Sequence, residues 1–206
     1  ARFLTTPTAD DPLPLDILVP MRIYRVVAAN SDHQSLVPAY DRVARDDPRL
    51  AICPTVADGW TPPPLVHHLG KKKVDADFWD YGQGLAFAIS DRVAEKLAQE
   101  PWCKLVPFVA ESLDSRLKPK GEVRRTLLAV VRVADALDRE RTRFKPYGVA
   151  VLDFDQAGAV AFHEDRLPLD GLFLQASGSS FEILATDSFA QRYEAEGWTG
   201  LRFVPV

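Results

Sequence analysis

The fold is decided by the stretch Ser90-Asp91-Arg92-Val93-Ala94-Glu95-Lys96-Leu97, which is followed by Glu100, Trp102 and Leu105. The same pattern returns 96 residues later as Thr186-Asp187-Ser188-Phe189-Ala190-Gln191-Arg192-Tyr193, followed by Glu196, Trp198 and Leu201. An aspartate, an alanine, a glutamate, a tryptophan and a leucine recur with the same spacing and without a gap. The chain therefore holds either two related units or two ordinary segments that match by chance.

Each copy predicts a short helix between two strands. A β-rich run ends at a Ser/Thr-Asp pair, and these side chains accept hydrogen bonds from the free N–H groups of a first helical turn. Apolar residues follow at i, i+1 and i+4, as Val93, Ala94 and Leu97 do, so they form one stripe. A second strand is predicted to close each unit, at residues 105–109 and at residues 201–206.

The rest of the chain shows many short β-rich runs. Strands are predicted at residues 21–27, 127–133, 147–154, 160–162 and 171–174, and a short helix near residues 40–45 in a loop-rich region. The strict alternation of strands and helices that a parallel doubly wound sheet needs is missing from this pattern. The predicted fold class is α+β, with a mostly antiparallel sheet and a few short helices.

Three parts are expected along the chain. Residues 1–20 hold four prolines and predict an extended N-terminal arm. An N-terminal lobe is expected at residues 21–118 and a C-terminal lobe at residues 119–206, each with one strand–helix–strand copy. Whether these are two related lobes or parts of one shared core stays open at this point.

Composition excludes several classes of protein. The chain of 206 residues is 47% hydrophobic and 26% charged, which is typical of a soluble globular protein. Its apolar runs are far shorter than the ~20 residues of a membrane-spanning helix, and its start lacks the apolar stretch of a signal peptide. Cys53 and Cys103 lack metal-ligand spacing and are interpreted as core thiols in a reducing compartment, so we expect a cytoplasmic protein.

Charge is distributed unevenly. Residues 116–145 hold ten Lys/Arg and four Asp/Glu, so this stretch carries +6 whereas the whole chain carries −4. Such a stretch is either a polyanion site or a solvated basic surface. With a pI near 5.6, direct binding of nucleic acid is not expected.

Few residues suggest catalysis or metal binding. The histidines are His33, His67, His68 and His163. Adjacent His67 and His68 diverge on a strand or a helix, which makes a poor pair of metal ligands, so surface loop positions are the simpler interpretation. His163 with Glu164 and Asp165 is a denser group and offers a hydrolase as an alternative. No catalytic residue, metal or cofactor is predicted.

The segment Asp75-Ala76-Asp77-Phe78-Trp79-Asp80-Tyr81 interleaves acids with aromatics. Large amphipathic side chains rimmed with negative charge suit a surface that captures a basic protein. The alternative is that the aromatics pack inward and the acids only make a loop soluble. The candidate interface residues are Asp75, Asp77, Trp79, Asp80 and Tyr81.

The chain resembles a family of bacterial immunity proteins associated with polymorphic and contact-delivered toxins. The residues that carry the resemblance are Ile89-Ser90-Asp91-Arg92 with Leu97, then Leu127 to Asp138, and Thr186-Asp187 with Gly197-Trp198-Thr199-Gly200-Leu201-Arg202-Phe203. The similarity spans about residues 85–206. It departs from the family where Pro101-Trp102-Cys103-Lys104 replaces a glycine-containing turn.

This resemblance implies a protein that binds and neutralises a cognate toxin domain by stoichiometric contact, without catalysis. The family supplies no catalytic residue. Besides the small hydrolase, a regulatory module that binds a peptide along a sheet edge is a further alternative. The chemistry of the toxin and the oligomeric state do not follow from the sequence.

Overall fold

The structure, a computed structural model, describes residues 21–29, 35–39, 63–68, 75–81, 86–114, 116–134, 136–142, 160–177 and 180–206. In chain order the elements are β1 Ile23–Ala28, β2 Ser35–Pro38, β3 Leu65–His68, β4 Phe78–Tyr81, β5 Ala86–Ile89, α1 Asp91–Leu97, β6 Cys103–Leu113, β7 Pro119–Ala134, β8 Leu172–Ser177, β9 Ser180–Thr186, α2 Asp187–Ala195 and β10 Leu201–Pro205. The predicted arm at residues 1–20, the helix near 40–45, the strand at 147–154, His33 and Cys53 lie outside the described residues.

The strands form one ten-stranded sheet in the order β10-β1-β9-β8-β7-β5-β4-β2-β3-β6, and β6 returns to pair with β7. The six strands from β7 to β6 therefore close into a barrel, and the other four extend from it as an open sheet. This sheet-rich fold with two helices agrees with α+β. The antiparallel expectation is met only in part, because parallel pairs join β2 to β4, β3 to β6 and β7 to β8.

The two copies of the sequence pattern have the same strand plan. The hairpin β4–β5, helix α1 and strand β6 form the first unit together with β7, which lies antiparallel between β5 and β6. The hairpin β8–β9, helix α2 and strand β10 form the second unit, and β1 lies antiparallel between β9 and β10. The central strand thus follows the first unit in sequence but precedes the second.

Both helices begin where the pattern predicted. The Ser90 side chain accepts a hydrogen bond from the Val93 N–H at 3.4 Å, and the Thr186 hydroxyl accepts one from the Phe189 N–H at 3.3 Å. Each capping residue has extended backbone, and an aspartate follows it in the first turn, where the helix dipole favours negative charge. The equivalence of the two helix starts is confirmed.

One hydrophobic core joins the units. Val93 and Leu97 of α1 and Phe189 and Tyr193 of α2 pack in the same cluster of buried residues. We call the sheet face that they cover the front face and the opposite one the back face. Strand pairing also crosses the predicted lobe boundary at residues 118/119, since β1 pairs with β9 and β10. The units share one core, which the sequence had left as an alternative.

The junction between the units has the reciprocal contacts of a two-fold axis. Lys96 pairs with Glu196 at 3.2 Å, and Arg192 pairs with Glu100 at 2.6 Å. Arg192 stands 96 residues after Lys96, and Glu196 stands 96 residues after Glu100. Each unit therefore contributes the cation to one ion pair and the carboxylate to the other, as the two subunits of an isologous dimer do.

Alternate residues of the same strands build the back face. In the first unit Trp79, Tyr81, Ala88 and Leu127 point into the barrel and form a second cluster of buried residues with Leu36. Strands buried on both faces lack a polar side, so they appear in sequence as continuous apolar runs.

The sequence pattern indicates a loop-rich region where β2 and β3 lie and predicts no strand at β4, so these three strands were missed. These three strands have only four residues each, too few to show a clear period.

In the second unit the back face packs differently. Ile23, Phe173 and Leu184 form a third cluster with Ala136 and Leu167, which lie on the segments at residues 136–142 and 160–170. Only an isolated bridge, Leu137 to Phe162, forms where a strand was predicted at residues 160–162.

Candidate functional site

The aromatic residues of the acidic segment lie in the protein interior. Trp79 is 1% exposed and Tyr81 is 4% exposed, and both face the inside of the barrel from β4. They cannot act as exposed anchors for a partner, so that part of the prediction needs correction. These side chains are buried because β4 is covered on both faces. Phe78 packs in the front core, and Trp79 and Tyr81 pack in the barrel.

A polar cluster surrounds Trp79. The His67 ring stacks on the indole with centroids 4.4 Å apart, and the guanidinium carbon of Arg125 lies 4.0 Å from the indole centroid. His67 Nδ1 is 3.1 Å from Ser112 Oγ. The indole N–H of Trp79 is buried and has no acceptor in the described part of the chain. His67 is thus a buried residue of β3 and not a surface loop residue as expected; His68 follows it in the same strand.

Asp77 holds the start of the first unit in place. Its carboxylate accepts hydrogen bonds from Arg92 at 2.6 Å, from the Ser90 hydroxyl at 2.8 Å and from the Thr199 N–H at 3.0 Å. Burial would raise the pKa of Asp77, but the bonds from Arg92, Ser90 and Thr199 outweigh it and hold the pKa below its ordinary value. Asp77 joins α1 to the turn after α2, which is a structural role.

Asp75 and Asp80 have different surroundings. The Asp75 side chain is 70% exposed and forms an ion pair with Arg125 at 2.6 Å. Asp80 lies in β4 and is half-buried. Of the five candidate interface residues, Asp75 is therefore the most exposed, and its carboxylate is paired with Arg125. Whether this segment contacts a partner stays a prediction.

The group His163, Glu164 and Asp165 lies at a 3-10 turn, Glu164–Arg166. The backbone N–H of His163 donates to the Ala136 carbonyl at 2.8 Å, and Glu164 accepts a bond from the Met21 N–H at 3.2 Å. These bonds tie the turn to β1 and to residue 136. In the described ranges, no three His, Cys, Asp or Glu side chains come together in a way that could hold a metal ion.

Cys103 is partly buried at the start of β6, and its Sγ lies 3.7 Å from the Leu97 carbonyl. Burial, with the negative charge of Glu100, raises the pKa of the Cys103 thiol to about 12. At neutral pH the group is a thiol and not the nucleophilic thiolate. This agrees with its interpretation as a core residue.

The basic stretch has a definite position. Residues 116–125 bring Arg116, Lys118, Lys120 and Arg124 to the exposed end of the β6–β7 hairpin. The tip also carries Leu117, which is 66% exposed. Sequence reasoning noted the charges but missed this leucine. The available signal was Lys118-Pro119-Lys120-Gly121, which marks a turn but was interpreted as a lobe boundary.

A pocket of 370 Å³ opens on the second unit. It is lined by Met21, Arg22, Ile23, Tyr24, Val160, Phe162, Pro205 and Val206. The Tyr24 hydroxyl donates to Asp187 at 2.9 Å beside it, and this bond raises the pKa of Tyr24. Four of its lining residues, Met21, Ile23, Phe162 and Val206, pack in the third cluster on the back face, where the second unit has no barrel.

Comparison with known proteins adds no identification. No model of a known protein family matches the chain, and no curated protein matches its sequence. The resemblance to immunity proteins therefore stays a prediction. Neither described helix is long and apolar enough to cross a membrane.

Proposed function

We propose that the protein is a cytoplasmic immunity protein that binds a cognate bacterial toxin domain and neutralises it by stoichiometric contact, without catalysis. Two lines of support exist. One is the family resemblance of the two strand–helix–strand copies. The other is that the ionisable groups around the helices form ion pairs within the chain. Asp77 pairs with Arg92, and the pair of Glu100 and Arg192 links the two units.

The observation that carries the proposal is the exposed carboxylate of Asp75 on a fixed frame. Trp79 and Tyr81 anchor the strand behind it in the barrel, and Arg125 holds the carboxylate at 2.6 Å. A fixed surface charge loses little side-chain entropy when a partner binds. Toxins that act on nucleic acid or nucleotides commonly have basic clefts, so an acidic surface gains association rate and orientation.

The test begins with the gene beside this one, which the proposal predicts to encode a secreted toxin, and expresses the toxic domain of its product. Co-expression should restore growth, and surface plasmon resonance should show a one-to-one complex. Asp75→Asn should slow association and flatten its salt dependence, with little change in dissociation, because an exposed charge acts mainly on the encounter. Glu194→Gln, which removes an exposed charge from α2, is the matched control and should have no effect.

Failure would be visible in two ways. A neighbouring toxin that neither binds the chain nor is neutralised by it contradicts the function. If the purified chain instead hydrolyses generic ester or phosphodiester substrates, a hydrolase is the correct function. Loss of that turnover in His163→Ala would place it at His163, Glu164 and Asp165, and loss in Ser112→Ala would place it at the pair of Ser112 and His67. The hydroxyl of Ser112 at 3.1 Å from His67 makes that variant the sharpest control for an enzyme.

Peptide binding along a sheet edge is a second candidate, because β10 pairs with β1 and with no other described strand. An extended segment could add to its outer edge. A peptide captured from the native host in place of a toxin, with amide chemical shift changes only at residues 201–205, would favour this candidate. Shifts centred on residues 75–81 would contradict it.

A further inference from the structure

The tip of the β6–β7 hairpin holds an exposed leucine in an unusual conformation. Leu117 has φ 57°, and among the described residues it is the one non-glycine position with positive φ. Glycine or asparagine normally occupies such a position, because the Cβ of other residues crowds the backbone. Its side chain is nevertheless 66% exposed and packs in none of the three cores.

Asp114 fixes this conformation. Its carboxylate accepts the backbone N–H groups of Arg116 at 2.8 Å and Lys118 at 3.0 Å, and its carbonyl accepts that of Leu117 at 2.9 Å. The bonds from the Lys118 and Arg116 N–H groups lower the pKa of Asp114, so it is ionised and bound at neutral pH. The tip is therefore organised before any partner binds.

Basic side chains surround the leucine. Arg116, Lys118 and Lys120 are exposed at the tip, and Lys120 pairs with Asp114 at 3.4 Å. Lower on the outer side of the same hairpin, Val109 is 51% exposed and pairs across the strands with Arg124. We call Val109, Arg116, Leu117, Lys118, Lys120 and Arg124 the hairpin surface.

We propose that the hairpin surface docks on the toxin, with Leu117 inserted into an apolar pocket that carboxylates rim. This inference rests on the proposed function and adds the apolar anchor that the interface around Asp75 lacks. A lasting complex needs a desolvated anchor at its centre, and Trp79 and Tyr81 are buried in the monomer. Leu117 is apolar and exposed, and its backbone is held in one conformation by Asp114, which lowers the ordering cost of binding.

The strand β7 connects the hairpin surface to the residue that holds Asp75. Arg125 of β7, which holds Asp75, stands eight residues after Leu117 on the strand that leaves the tip. At ~3.3 Å per residue this is about 25 Å, within the width of an interface of standard size. The basic tip and the acidic segment therefore contact different parts of one partner.

The experiment measures toxin dissociation and folding stability on the same variants. Leu117→Asn and Leu117→Gly remove the anchor and suit the left-handed backbone, so thermal unfolding should stay at or above the wild-type temperature. Dissociation of the toxin should be at least about tenfold faster, since losing a central anchor acts on the off-rate. Leu169→Asn, at a leucine 84% exposed in the second unit, is the control and should leave dissociation unchanged.

Each outcome decides one claim. A toxin that binds and responds to Asp75→Asn, yet dissociates normally from both Leu117 variants, overturns the anchor and leaves the proposed function standing. A neighbouring toxin that does not bind the wild-type chain overturns both. Wild-type binding to a DNA duplex or to phosphatidylserine vesicles, lost in Lys118→Glu but kept in Leu117→Asn, also overturns the anchor, because the basic tip would then recognise phosphate.

Discussion

The first and second units have the same front face and different back faces. In both, a hairpin leads into a capped helix, and a closing strand runs on the far side of a central antiparallel strand. Behind the first unit the sheet closes into a barrel around Trp79. Behind the second it stays open, with Phe173 packed against Phe162 and a pocket of 370 Å³ nearby.

This difference shows what the repeated pattern specifies. Most of the repeated residues, such as Trp102 and Trp198, pack in the shared front core, and Glu100 and Glu196 form the reciprocal ion pairs at the junction. The repeated aspartates, Asp91 and Asp187, stand in the first turn of each helix. None of them belongs to the barrel cluster or to the third cluster. The pattern therefore encodes how the units meet each other, and the back face of each unit is free to differ.

The turn after each helix is a place where the units differ, and it gives the largest expected effect. Gly200 has φ 106°, and a Cβ there would lie 2.2 Å from the Phe78 carbonyl oxygen. We expect Gly200→Ala to reduce the free energy of unfolding by about 3–4 kcal/mol, from backbone strain and steric clash together. Gly197→Ala, at φ 62° with open space around it, should cost only about 1 kcal/mol in the same denaturant titration. Equal costs would contradict the close approach.

Asp77 fixes the first unit in a way that the second does not share. Gly171 occupies the equivalent position before β8. The carbonyl of Asp77 accepts the Ser90 N–H, and the carbonyl of Gly171 accepts the Thr186 N–H. Removing the carboxylate by Asp77→Ala should cost about 2–3 kcal/mol, because Arg92 and Ser90 lose a charged partner.

The pH dependence of this effect has a definite sign. The pKa of Asp77 is depressed in the folded state, so its contribution is present above the ordinary value of 3.8 and is lost as the pH falls below it through the folded pKa. Unfolding titrations between pH 7 and pH 2 should show wild type and Asp77→Asn converging at the acid end. A constant difference down to the lowest pH would contradict the assignment.

The two helix caps should contribute moderately different amounts to the free energy of unfolding. Thr186 is fully buried, and its hydroxyl also accepts the Gly171 N–H at 3.1 Å, whereas Ser90 is half-buried. Thr186→Ala should reduce the free energy of unfolding by about 2 kcal/mol and Ser90→Ala by about 1 kcal/mol, measured by chemical denaturation. Glu95→Ala, at an exposed position in α1, would serve as the non-capping comparison.

The reciprocal ion pairs give the smallest effect. Arg192 and Glu100 are each 24% exposed and 2.6 Å apart, whereas Lys96 is 53% exposed and 3.2 Å from Glu196. We expect Arg192→Ala to cost about 1 kcal/mol and Lys96→Ala about 0.3 kcal/mol at low salt. A double-mutant cycle for each pair measures the coupling. A larger coupling for Lys96 and Glu196 would show that exposure is not what separates the two pairs.

The sequence predicted those elements whose signals are local. Ser90 and Thr186 predict the starts of their helices because a capping side chain binds the backbone within one turn. The strands β1, β7 and β10 are long enough for their apolar and β-branched residues to indicate a strand. The barrel was missed because its closure depends on pairings between distant short strands, such as Leu65 with Ala110. No local pattern specifies such a pairing.

The candidate site was predicted less well. The segment at residues 75–81 was identified, but its alternating acids and aromatics did not show that β4 is covered on both faces. The sequence therefore left open whether its aromatics face a partner or pack inward, and the structure shows Trp79 and Tyr81 buried. Leu117 was missed because its exposure follows from the conformation of a turn, which Asp114 imposes through backbone hydrogen bonds. In the sequence alone, a leucine among basic residues does not indicate an exposed side chain.

The position of β1 in the second unit also sets an order of folding. The strands of the first unit are neighbours in sequence, but β1 pairs with β9 and β10, as in the pairing of Tyr24 with Pro205. Closing so long a loop is slow, and on the ribosome β1 emerges long before its partners. We expect pulsed hydrogen exchange during refolding to show amide protection in β5, β6 and β7 before β1. The first strand of the described chain would then be among the last to form its pairings.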